Sequence, residues 1–117
     1  MTVGQNEIVS NVVDFTLIND VTYAAPIKED ISIQSLGNGS FKIIGSAGTL
    51  PYLYSSEAQV FTSPNREPGT FLGYKAVNQD GSFELTINTN LTEIWIVGAY
   101  LDQGWQYSEA VKLDLPQ

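Results

Sequence analysis

The chain has 117 residues, 43% of them hydrophobic and 15% charged, with five basic against 13 acidic side chains and a net charge of −8. That length makes one domain, large enough to bury a core without disulfides, of which a chain lacking Cys can form none. Lys28, Lys42, Arg66, Lys75 and Lys112 are scattered along an acidic chain, which excludes a phosphate-binding patch and disfavours nucleic acid and anionic membrane surfaces as partners.

Residues 1–29 form the first unit and are weakly patterned. Met1 to Glu7 is polar, without the basic-then-apolar order of a secretory leader, and no apolar run approaches the ~20 residues of a membrane span. Val12, Val13, Phe15 and Leu17 can build a first strand, and Asp20 to Pro26 reads as a turn. Two readings stand for this segment: an ordinary first strand with a frayed end, or a docking arm that adds a strand to a neighbouring subunit.

Residues 30–117 read as strand, turn, strand. Asp30 to Leu36 groups Ile31 with Ile33, Gly37-Asn38-Gly39 makes a tight reversal, and Ser40 to Gly45 groups Phe41 with Ile43. Gly48 to Ser56, with Pro51, is irregular. Glu57 to Ser63 groups Ala58 with Val60, and Pro64-Asn65-Arg66-Glu67-Pro68-Gly69 is a loop. Thr70 to Asn78 places Leu72, Tyr74 and Ala76 on one face. The turn Asn78-Gln79-Asp80-Gly81-Ser82 then opens into a half-buried strand with Phe83, Leu85 and Ile87 inward, and is expected to set the register of a hairpin.

Glu93 to Leu101 is apolar on both faces, the mark of a central strand covered twice or of one whose outer face is an interface; Trp95, among apolar neighbours, is expected in the core. After the turn Asp102-Gln103-Gly104, Tyr107 to Leu115 closes the domain with Val111, Leu113 and Leu115 inward. No long window of helical periodicity occurs. The expected fold is an all-β, immunoglobulin-like antiparallel β-sandwich of about seven strands.

Ile43-Ile44-Gly45, Asp80-Gly81-Ser82-Phe83, the apolar run Ile94 to Ala99, Asp102-Gln103-Gly104 and Ser108 to Leu113 follow one another as the pieces of a known pattern. On these, residues 31–115 resemble the bacterial and phage immunoglobulin-like domains, including their transthyretin-like or carboxypeptidase-regulatory-like branch. Where the family's last turn carries Gly-Asn, this chain has Gly104-Trp105-Gln106. The resemblance implies the fold and an extracellular or particle-surface module. It carries no catalytic residue across.

The absence of His and Cys removes Ser-His and Cys-His nucleophile systems and the commonest transition-metal ligands, so no enzyme is expected. Asp80, Asp102, Glu29 and Asp30 stand at strand ends, where carboxylates ligate Ca²⁺ or cap their own turns. No D-x-D-x-D-G loop is present and capping is the stronger reading, so no metal or other cofactor is expected. Asn38-Gly39-Ser40 and Asn90-Leu91-Thr92 match the glycosylation pattern by chance in a chain without a visible leader.

Aromatic residues gather around one turn: Trp105, Tyr107 and Tyr100, with Tyr52 and Tyr54 as a second contact. Such side chains bury large areas at little entropic loss and dominate binding surfaces. The expected function is a non-enzymatic structural or interaction module. Its concrete form is a phage virion protein, a capsid decoration or tail-associated subunit whose partners are protein subunits of an assembly. The alternative is a carbohydrate-binding or adhesin module of a bacterial surface protein, which would place it extracellularly on surface glycans.

Overall fold

A computed structural model describes residues 23–53 and 55–116. The arm residues Val12, Val13, Phe15 and Leu17, and the contact residue Tyr54, lie outside the described residues. After a 3-10 turn at Lys28–Asp30 come eight strands: β1 (Ile31–Gly37), β2 (Ser40–Gly45), β3 (Glu57–Phe61), β4 (Phe71–Ala76), β5 (Phe83–Asn88), β6 (Glu93–Leu101), β7 (Trp105–Tyr107) and β8 (Val111–Asp114). All pairings are antiparallel. One sheet runs β1-β2-β5, and the other runs β4-β3-β6 with both β7 and β8 on the far edge of β6.

This is an antiparallel β-sandwich in which the chain changes sheets after β2, β4 and β5. The fourth strand pairs with β3 rather than joining the β1-β2-β5 sheet. Period-two alternation builds the core: Phe41 and Ile43 of β2 and Phe83, Leu85 and Ile87 of β5 face Ala58 and Val60 of β3 and Ile94 and Ile96 of β6. Leu50 and Val77, from the connecting loops, complete it.

Three expectations need correction. The turn at Asn78–Ser82 does not close a hairpin, because β4 and β5 belong to different sheets; it carries the chain across the sandwich. Asp80 caps that turn, its Oδ1 accepting from the Ser82 amide at 2.9 Å and the Ser82 hydroxyl at 2.6 Å. These bonds hold its carboxyl below the ordinary carboxylate pKa. In β4, a register shift between Val60 and Phe61 turns Phe71 and Tyr74 outward and Leu72 toward the core, so Leu72 and Tyr74 do not share a face. Trp95 pairs with Phe61 and Lys112 on the outer side of β6, half-buried, while Ile94 and Ile96 take the core.

The last strand is broken, so the described residues hold eight strands, in keeping with the about seven expected. β7 pairs with the end of β6 and β8 with its beginning. Between them Ser108 bridges the break: its amide donates to the Gly98 carbonyl at 2.9 Å, and its Oγ accepts from the Gly98 amide at 2.8 Å and donates to the Glu109 carbonyl at 2.9 Å. Ser108→Ala leaves the buried Gly98 amide unpaired. It should lower unfolding free energy by about 1–3 kcal/mol in urea denaturation, while the conservative Ser108→Thr loses less.

Candidate functional site

Directly opposed residues of an antiparallel pair share a face, so the register alone assembles the outer surface of the five-stranded sheet. One row across it is Phe71, Phe61, Trp95 and Lys112. Another places Tyr107 beside Ala99 and Glu57, and the last pairs Trp105 with Leu101. Val97 and Ala99 point outward yet are buried. The loop between β3 and β4 bends back over this surface, braced by Thr62 and Ser63 against Thr70 and Glu67. It sets the Arg66 guanidinium 3.9 Å above the Tyr107 ring, a cation–π contact.

Two aromatic groups remain open to solvent on this sheet. One is Phe71 with Tyr74, stacked at 6.2 Å between centroids, with Phe61 edge-on to Phe71. Sequence reasoning missed this group, because the bulge that turns Phe71 outward has no signature in the residues themselves. The other surrounds a groove of about 370 Å³ lined by Tyr52, Ser55, Ser56, Glu57, Ala76, Val77, Leu101 and Trp105. Here the structure brings Trp105 (42% exposed) together with Tyr52 (48%) and adds Leu101 (46%). Tyr107 lies one row away under Arg66.

The groove's polar groups are few. The Ser56 hydroxyl donates to the Pro51 carbonyl at 2.9 Å and thereby holds the loop that carries Tyr52. Glu57 accepts from Gln59 Nε2 at 3.0 Å. Among the described residues no three His, Cys, Asp or Glu side chains come together as a metal site.

Tyr100 is not part of the exposed group. Counting by twos from Ile94 and Ile96 brings it inward, and only 1% of its surface is accessible. Its hydroxyl donates to the Ala24 carbonyl at 2.5 Å, and Tyr23 stacks on its ring at 5.5 Å and donates to Asp102 Oδ2 at 2.8 Å. Gly98 makes room: a Cβ there would stand 2.8 Å from the Tyr100 hydroxyl and 3.0 Å from the Ala24 carbonyl. Residues 23–27 are thus fastened over the end of β6, and Asp102 serves as the acceptor of that fastening. No protein-family model, curated protein or solved structure matches the chain.

Burial pushes the Tyr100 hydroxyl up from 10.0 to about 12, so the folded state favours the neutral phenol. The stabilisation this represents is complete below about pH 10 and is lost as pH rises through about 12. Tyr100→Phe should cost about 1 kcal/mol at neutral pH through the lost hydrogen bond. It should also flatten the fall in stability between about pH 10 and about pH 12, read from thermal melts across that range.

Proposed function

We propose that the chain is a non-enzymatic interaction module that docks a protein partner through the outer face of its five-stranded sheet. The observation that carries this reading is the groove at which Tyr52, Leu101 and Trp105 converge, each with nearly half its surface in water. Large apolar and aromatic side chains gathered on one patch with a polar rim are the anatomy of a contact site. The concrete setting is a phage virion, as a capsid decoration or tail-associated subunit. It is supported by the resemblance of residues 31–115 to immunoglobulin-like domains of bacteria and phages. The charge of −8 would keep such a multi-copy subunit soluble before assembly.

A second reading, binding of a surface glycan, is favoured by Glu57 and Ser55 standing in the same groove as Trp105. An aromatic face takes the C–H side of a sugar, and a carboxylate beside it takes the hydroxyls.

The test is Trp105→Ala. The ring is half-exposed and outside the core, so the melting curve should keep its cooperativity. Co-sedimentation with assembled phage particles, or self-association in sedimentation equilibrium, should weaken at least tenfold, as for an interface anchor worth more than about 1.4 kcal/mol. Glycan-array binding abolished by the same substitution would move the assignment to the second reading. A wild-type protein that is monomeric and binds neither particles nor glycans overturns both.

A further inference from the structure

The chain's five cations all stand away from the Trp105 groove. Lys42 and Lys112 pair with Glu84 and Glu93 at 3.5 and 3.2 Å, and Arg66 lies on Tyr107. Lys28 lines a separate cleft beside Ile31 and Leu113, and Lys75 stands opposite Ala58. The groove's one charged side chain is therefore Glu57. It is half-buried, and among the described residues no ion pair reaches it. Its Oε1 accepts from Gln59 Nε2 at 3.0 Å, while no hydrogen bond from the described residues falls on Oε2. A carboxylate partly withdrawn from water beside apolar side chains is costly until a cation meets it.

We propose that the groove takes an arginine side chain of the protein partner, its guanidinium on the Trp105 ring and against the Glu57 carboxylate, which rests on the reading of this groove as a protein contact. Glu57 pairs with Ala99, and Trp105 pairs with Leu101, two residues further along the same face of β6. The two thus stand diagonally across β6, their backbones about 12 Å apart by strand spacing and rise. That span leaves room for a third group between their side chains, and both line the same groove. A guanidinium is planar and weakly hydrated, so it stacks on an indole while its N–H fork meets a carboxylate. A lysine ammonium is a strongly hydrated point charge with no plane to stack. Tyr52 and Leu101 offer apolar surface to the arginine's aliphatic stem.

The molecule already makes this kind of contact on the same face. Arg66 sits 3.9 Å above the Tyr107 ring, and Tyr107 lies beside Ala99, the strand neighbour of Glu57. Two residues along β7, Trp105 shares that face and is left 42% exposed. The chain's own arginine covers the first ring, and the partner's covers the second. Charge agrees with shape. A net charge of −8 draws a cationic segment in, and arginine and tryptophan are among the residues that dominate contact sites.

The probe is acetyl-Gly-Arg-Gly-amide titrated into the full-length protein, with the matching citrulline and lysine peptides beside it. The chain has two Trp, so the indole N–H signal that disappears in Trp105→Phe identifies Trp105 by NMR. The arginine peptide should move that signal along a saturable curve in the millimolar range. The citrulline peptide, of the same shape without the charge, should bind at least about fivefold more weakly. Glu57→Gln should weaken the arginine peptide at least about fivefold while the backbone amide spectrum of the sandwich keeps its dispersion. A titration without saturable shift overturns the proposal, as does a citrulline or lysine peptide that binds equally well, or a Glu57→Gln protein that binds as before. In co-sedimentation with phage particles, weakening by Trp105→Ala but not by Glu57→Gln overturns this proposal and leaves the protein contact standing. Weakening by neither overturns both.

Discussion

Strand β6 is the constraint on which the rest of the structure depends. It is hydrogen-bonded along both edges, to β3 on one side and to β7 and β8 on the other. It is also covered on both faces: Ile94, Ile96 and Tyr100 face inward, while Val97 and Ala99 are buried on the outside. Burying an Ile or Val side chain is worth about 1.5–3 kcal/mol, so no edge position could satisfy this sequence. With β6 central, β3 and the broken last strand must flank it, and Gly98 must stay without a side chain where the chain from Tyr23 to Ile27 crosses.

The outer faces of the two sheets are unlike. The β1-β2-β5 sheet shows water Ser32, Gln34, Thr86 and Asn88 and a Lys42–Glu84 ion pair at 3.5 Å, with Ile44 half-buried among them. That pair is exposed and worth under about 1 kcal/mol. The other sheet shows aromatic rings, part of them under the Arg66 loop and part open. A sandwich needs only its inner faces to fold. An outer face this apolar calls for a cover, and among the described residues the Arg66 loop supplies one over Tyr107, while Trp105, Leu101 and Tyr52 stay about half exposed.

Much of the fold was legible because most strands bury one face only. The alternation of Phe83, Leu85 and Ile87 leaves a single choice of inward set, and structure and sequence agree there. Where both faces are apolar the choice is lost, and apolar neighbours alone do not tell the outward Trp95 from a core residue. The position of Tyr100 was readable, since the same count by twos that buries Ile96 buries it. Its apparent grouping with Trp105 came from nearness in the chain, although the turn between them puts the two rings on opposite faces of the sheet. The meeting of Trp105 with Tyr52 depends on how the Pro51–Ser56 loop is held against β6, a contact between distant residues that no local pattern encodes.

The break in the last strand has a mechanical meaning. A continuous final strand of an antiparallel sheet peels from its end like a zipper, each lost pair loosening the next. Here the carboxyl-terminal piece, Val111–Asp114 with the Leu115 amide on the Thr92 carbonyl, is clasped separately from Trp105–Tyr107 by Ser108. Tension at that end would strip β8 and stop at the clasp. The ring of Trp105 would then keep its place on the sheet while the other end of the molecule yields.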